Sequence, residues 1–444
     1  NMPMVCRLTG NWVPQALEKG WNQLIERHES LRTVFHEVNG HPVQQIQPYA
    51  FRSLPQMDLT KLSPEEQERE VKQWIQTEVE APFDLEQGPL FRGQIVKISE
   101  EEWILLCNMH HIISDGWSME ILLQEWMAFY EEAVGGKSTE LAPLPVQYAD
   151  FAQWQREWLK EEVLNQQLAY WKEELSGELP VLMLPMDRPR PAIQTHHGLT
   201  HTVLLSRSLL DKLNELSRQE GVTLFMTLLA SYQSFLARYT GQSDILVGSP
   251  IANRNYREVE GLIGFFVNTL VYRADLSGAP AFQELLSQVR KKALKAYEYQ
   301  DVPFEKIVEV IQPERSTSHS PIFQTMFTLQ NTRQELPEFH GRSIKAMESY
   351  ASIAKFDLSL SAAEVEEGLL LSFVYKTDLF DSGTIKCMAD HFENWLNVIV
   401  EHPDKSLAKL PMLSELEQQQ LEEWNDTAIT YPRESVIYKL FEEQ

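Results

Sequence analysis

His110-His111-Ile112-Ile113-Ser114-Asp115-Gly116 puts two imidazoles, a carboxylate and a glycine into one short run. An imidazole can take or give a proton near neutral pH, and a nearby carboxylate can orient or compensate it. Adjacent side chains on an extended backbone point to opposite faces, so one histidine is expected to look into a cleft and the other into packing. Asp115 follows His111 by four residues and can turn back across a tight loop. Gly116 is expected where no side chain fits, or where φ is positive. A plainer arrangement uses the same residues: a strand end with a satisfied core histidine, a carboxylate at a helix start and a turn glycine. The residue types alone weigh the two equally. Metal binding by His110, His111 and Asp115 is not expected, because opposed rings converge poorly and no further His or Cys cluster completes a site.

The elements that must hold this run are legible on both sides of it. Trp103–Met109 is a bulky apolar stretch that reads as a buried strand. Ser118 is a good N-cap for a helix over Met119–Ala133, with Ile121, Leu122, Trp126, Phe129 and Tyr130 at helical spacing. The histidines therefore leave a sheet beside free N–H groups at a helix start. Leu90–Ile98 pairs with 103–109 as a hairpin, and Ser63-Pro64-Glu65 caps a helix reaching Glu80. Asn1–Gly10 reads as a strand, and Gln15–His28 as a helix. The second half reads as a strand over 200–205, helices over 209–221 and 224–240, and a strand over 244–251 running into a loop at 252–260. Beyond these come a helix over 282–298, strands at 325–330, 358–363 and 369–375, and a helix over 381–402. Gly264 marks a bend or close approach, and Asn268 is a polar group in apolar surroundings that needs a partner.

Two signatures are mimicked. Gly135-Gly136-Lys137-Ser138 follows a helix rather than a strand, and Glu131 stands where a phosphate loop needs glycine, so a helix stop is expected. His196-His197 lacks a following Asp-Gly pair and reads as surface.

The chain has 444 residues, enough for two or three domains or two lobes of one large unit. Its formal charge of -25 argues against nucleic acid and anionic membranes as partners. No apolar run reaches the length of a membrane span. Cys6, Cys107 and Cys387 are scattered, which predicts a reducing, cytoplasmic setting without disulfides.

His110-His111-x-x-x-Asp115-Gly116 resembles the HHxxxDG signature of the condensation domains of nonribosomal peptide synthetases, relatives of chloramphenicol acetyltransferase. Further segments resemble the family's motifs in the family's order. Arg27-His28-Glu29-Ser30-Leu31-Arg32-Thr33-Val34-Phe35 matches RHExLRTxF, and 148–155 resembles YxDYAxWQ with Phe151 for the second Tyr. Residues 263–269 match IGxFVNT. Residues 299–305 resemble HQDxPFE with Tyr299 for His, and 315–324 resemble RDxSxxPLFQ with Ser316 for Asp. The family's first motif is expected upstream of Asn1. Residues 423–427 and 431–444 resemble a linker and the opening of an adenylation domain.

The resemblance implies an α/β fold: two chloramphenicol-acetyltransferase-like lobes in a V-shaped pseudo-dimer, with the active site in a tunnel at their junction. The Pro-rich run 180–191 sets the expected divisions at 1–180, 181–409 and 410–444. The implied reaction is amide formation between a donor thioester on an upstream peptidyl carrier and an aminoacyl acceptor on a downstream one. Both substrates would ride on 4'-phosphopantetheine arms, with no cofactor bound by this chain. The implied partners are those carriers and an adjacent adenylation domain, the excised domain being monomeric. His111 is expected to face the tunnel, as general base or only to position the amine. Gly116 is expected to offer its N–H to the thioester carbonyl. His110 is assigned to packing and Asp115 to structure, the latter paired with Arg27 or Arg32, since a buried carboxylate needs a cation. Trp117, Ser118, Gly264 and Asn268 are expected near the tunnel. Two alternatives stand beside coupling: an epimerisation domain of the same fold, and a noncatalytic docking module.

Overall fold

The computed structural model describes residues 1–135, 141–314, 316–330, 341–347, 353–428 and 436–444. Of the segments read above, Gly136-Lys137-Ser138, Arg315 and 431–435 lie outside the described residues.

In the first half the strands are β1 (Met2–Thr9), β2 (Thr33–Val38), β3 (His41–Ile46), β4 (Gln56–Asp58), β5 (Phe91–Ser99) and β6 (Glu102–Met109). In the second they are β7 (Gly198–Ser206), β8 (Asp244–Ile251), β9 (Asn268–Asp275), β10 (Thr325–Gln330), β11 (Ser343–Ala346), β12 (Leu358–Val365) and β13 (Gly368–Lys376). They form two large sheets, β11-β1-β6-β5-β4 and β7-β13-β12-β10-β8-β9, and β2 and β3 pair as a separate hairpin.

The first-half helices are α1 (Pro14–Arg27), α2 (Pro64–Glu80), α3 (Gly116–Ala133), α4 (Tyr148–Trp158) and α5 (Glu161–Glu174). Strand β6 is buried on both faces, which is why its sequence is a continuous apolar run rather than an alternating one. Leu105, Cys107 and Met109 pack with Leu17, Trp21 and Leu24 of α1 and Leu122 and Trp126 of α3. Ile104 and Leu106 face Val71, Trp74, Ile75 and Val79 of α2. The strand is thus clamped from two sides, and its C-terminal end is a rigid place from which to launch a loop. Ser63 caps α2 as expected, and the structure adds a capping box: its hydroxyl accepts from the Glu66 amide, and Glu66 closes back on the Ser63 amide.

The second-half helices begin with α6 (Arg207–Gln219), α7 (Leu224–Thr240), the short α8 (Arg257–Glu260), α9 (Phe282–Glu298), α10 (Phe304–Ile311) and α11 (Ser382–Glu401). They are followed by α12 (Glu415–Asn425) and α13 (Ile437–Glu443). The core of this half joins Tyr232 and Phe235 of α7, Leu285 and Val289 of α9 and Phe392 and Trp395 of α11 to Phe327 and Phe373 of its sheet. Gly241 ends α7 in the left-handed region, the stop expected of a helix followed by glycine.

Three features go beyond the sequence reading. Residues 148–174 form two helices, α4 and α5, broken at Leu159 and Lys160. The second core includes residues that precede the division expected at 180. Trp171 and Leu175 belong to the second core, and the Trp171 indole donates to the Tyr299 carbonyl at 2.9 Å. Finally, β11 comes from the second half yet pairs antiparallel with β1 in the first sheet, with Cys6 opposite Ala346 and Thr9 opposite Ser343. Arg342, just before it, is ion-paired with Glu131 at 2.8 Å.

Candidate active site

The chain leaves β6 at Met109 and turns at once. His110 is extended, but His111–Ile113 form a single tight turn, closed by the Ile113 amide on the His110 carbonyl at 3.1 Å. The His111 Nδ1 lies 2.7 Å from the Ser114 carbonyl. A carbonyl only accepts, so Nδ1 carries the proton, and in the neutral ring the Nε2 lone pair is free. No described residue hydrogen-bonds that Nε2. The ring meets Phe265 of the second half edge-on, centroids 5.2 Å apart. Burial holds the His111 imidazole below its ordinary range; the Ser114 carbonyl opposes this, and the Lys355 charge adds to it. The His110 ring turns elsewhere. Its Nδ1 accepts from the Ile112 amide at 3.0 Å, and its neighbour is Phe83, 5.9 Å away. Burial lowers its pKa too.

Helix α3 begins three residues earlier than Ser118 predicts, because Asp115 is its cap, accepting from the Ser118 amide at 2.8 Å. Asp115 is only 2% exposed. Its partner is neither Arg27 nor Arg32 but Arg254, 3.1 Å away and equally buried. Arg27 instead pairs with Glu125, which also takes a 2.6 Å bond from His28, and Arg32 binds Glu29 and the Gln47 carbonyl. The correction has a simple cause. Arg27 ends α1 and is committed to α3, whereas Asp115 faces the opposite half of the molecule.

Arg254 carries no signature that sequence reasoning could pick out. It lies in the loop between β8 and α8, outside every motif read above, and the signal for it is the need of a buried carboxylate for a cation. Its guanidinium also donates to the Val259 and Leu262 carbonyls, at 2.7 and 2.6 Å, and lies 4.0 Å from the Phe266 ring centroid. The other Asp115 oxygen accepts from the Phe266 amide at 3.0 Å. Ser118 sits in the same knot. Its hydroxyl is 2.7 Å from Asp115, accepts from the Gly264 amide at 3.1 Å and from Arg254 at 3.0 Å. The start of α3 is thereby laced to the 254–266 segment of the second half.

Gly116 has an unexpected environment. Its φ is not positive, and a Cβ there would meet no protein atom within 4 Å. Neither reason given for a glycine applies. What the position has is open space at the place of a Cβ and a backbone amide in the first turn of α3, where no helical partner exists. Trp117 is half exposed and donates its indole N–H to the Glu260 carbonyl at 3.0 Å, a further link between halves.

Gly264 is a true close approach, since a Cβ would overlap the ring of Tyr148, whose hydroxyl donates to the Phe265 carbonyl at 2.9 Å. Gly264→Ala is expected to cost about 1–3 kcal/mol in urea unfolding; an unchanged midpoint would show that the segment has slack. Asn268 spends its amide internally, donating to the Gln300 and Val302 carbonyls and accepting from the Phe304 amide. It pins the start of β9 to the segment before α10. Among the described residues no three His, Cys, Asp or Glu side chains are grouped to hold a metal ion, and no helix is long and apolar enough to cross a membrane.

Known proteins share this outline. A family model described as "Condensation domain" matches residues 1–422. Two proteins of the linear gramicidin synthase of Brevibacillus parabrevis are similar along the whole chain. One is 50% identical over 446 residues, covering 100% of this chain and 9% of that protein. The other is 49% identical over 443 residues, covering 99% of this chain and 6% of that protein. The chain therefore spans less than a tenth of these relatives' length. Among solved structures, the X-domain from teicoplanin biosynthesis superposes with a TM-score of 0.84 at 26% identity, covering 93% of each chain. A holo four-domain nonribosomal peptide synthetase bound to AMP and glycine gives 0.84 at 21% identity, covering all of this chain and 34% of that one.

Proposed function

The chain belongs to the condensation-domain family of nonribosomal peptide synthetases, and from that premise we propose that it joins two carrier-bound substrates through an amide bond. The donor is an acyl or peptidyl thioester on an upstream carrier. The acceptor is an aminoacyl thioester on a downstream carrier. The acceptor amine adds to the donor carbonyl, the C–S bond breaks, and the donor arm leaves as a thiol that takes up the proton lost by the amine. A thioester is already activated, so no protein nucleophile is required; alignment, desolvation and charge stabilisation suffice.

The observation that carries this reading is the His111 ring. Its Nδ1 proton is committed to Ser114, its Nε2 is bonded by none of the described residues, and it stands where residues of the two halves meet. Such a nitrogen accepts a hydrogen bond or a proton from the attacking amine. The amide of Gly116, in the first turn of α3 with open space at its Cβ position, suits a developing oxyanion, and the α3 dipole favours the same charge. On this reading both arms are 4'-phosphopantetheine, the adjoining domain is an adenylation domain, and the setting is cytoplasmic.

The likeness to the teicoplanin X-domain, a domain that one solved complex pairs with OxyB, supports recruitment as the second reading. A reconstituted assay with two separately loaded carriers decides. The expected product is an amide-linked thioester on the downstream carrier. Inversion of the donor α-carbon without coupling would replace the proposal with epimerisation, and binding without turnover would replace it with recruitment.

A further inference from the structure

The segment after Arg254 fixes its backbone at three successive residues and then exposes a phenyl ring. The Gly264 amide donates to Ser118, the Phe265 carbonyl accepts from Tyr148, and the Phe266 amide donates to Asp115. Phe266 is buried against Tyr148 and Phe151. Phe265 packs into none of the cores formed by the described residues and stays 38% exposed. The backbone bonds on either side thus fix where this ring stands, outside those cores. Its ring contact among the described residues is His111, at 5.2 Å and 80°.

That contact matters because, among the described residues, the His111 ring is otherwise held by one hydrogen bond. A ring tethered only at Nδ1 can rock about that bond and swing Nε2 away from a fixed target. A second ring meeting it edge-on removes this freedom and shields one side from water. We propose that Phe265 is a positioning residue that reaches across from the second half and sets the orientation of the His111 imidazole. Since the Asp115–Arg254–Ser118 knot is what holds Phe265 in place, docking of the two halves is coupled to the aim of Nε2. The role in turnover rests on the coupling function proposed above; the ring contact itself does not.

Phe265→Ala is expected to lower kcat about 10- to 100-fold with a smaller change in KM for the acceptor carrier, and Phe265→Tyr, which keeps the ring, to restore most of it. Phe265→Leu, bulky but not aromatic, should fall between them. The charged and polar groups around the imidazole are Ser114, Asp115, His110 and Lys355, and none is altered by these changes. Any movement of the His111 titration in Phe265→Ala therefore reports the lost ring, and it should move up toward the ordinary imidazole value as water gains access. Following that titration by NMR in the wild type and Phe265→Ala needs no turnover, so it tests the contact even if the wild-type chain fails to couple. A wild-type kcat together with an unmoved titration would overturn the proposal.

Discussion

Asp115→Ala is expected to lose about 3–5 kcal/mol of stability, the usual result of stripping one partner from a buried ion pair. The carboxylate accepts from the Ser118 amide and hydroxyl, the Phe266 amide and Arg254. Its removal uncaps α3 and leaves the Arg254 charge without a counter-ion at a site where both side chains are almost fully buried. Asp115→Asn separates the two effects. The amide oxygen can still cap the helix, a contribution of about 1 kcal/mol, while the charge is gone. Most of the loss should therefore persist in Asp115→Asn. It should be partly recovered when Arg254→Met is added to Asp115→Ala, and the cycle of single and double variants gives the coupling directly. Urea unfolding is the measurement; an Asp115→Ala midpoint equal to that of the wild type would remove the structural role of this carboxylate.

His111→Ala should behave in the opposite way, with rate lost and fold kept. The ring is partly exposed and makes one hydrogen bond, to Ser114, so its removal should leave the melting temperature well above that of Asp115→Ala. The coupling rate is expected to fall about 10²–10⁴-fold, the range for a lost general base. The pH profile of the wild type carries the same signature. The competent form is the neutral ring, with Nε2 free. Since burial depresses the pKa, that form persists below the ordinary imidazole range, and the rate should fall only as pH drops through the depressed value. His111→Ala should lack this acid limb. An undiminished rate in the variant would take His111 out of the reaction.

Much of the scaffold is legible in local pattern. The β5–β6 hairpin, the capped start of α2 and the glycine stop of α7 each depend on neighbours within a few positions, where periodicity and capping act. The loop carrying His111 is equally plain. What local pattern misses are features decided at long range. Arg254 meets Asp115 across 139 positions, and nothing near either residue names the other. Asp115 rather than Ser118 caps α3 because Ser118 is drawn into the same knot with Gly264. Gly116 looks in sequence like a glycine demanded by backbone shape, but its φ is not positive and the place of a Cβ is open; neither fact can be read from the residues around it.

The strand that crosses from the second half into the first sheet has a consequence for anyone recombining relatives of this chain. Residues Ser343–Ala346 complete a sheet whose other strands end by Met109. A chimera that transplants the first half while leaving 343–346 to the host pairs Cys6–Thr9 with a foreign ribbon. One that omits it exposes a bare edge to any chain nearby. The cut that looks natural along the polypeptide is a poor place to graft.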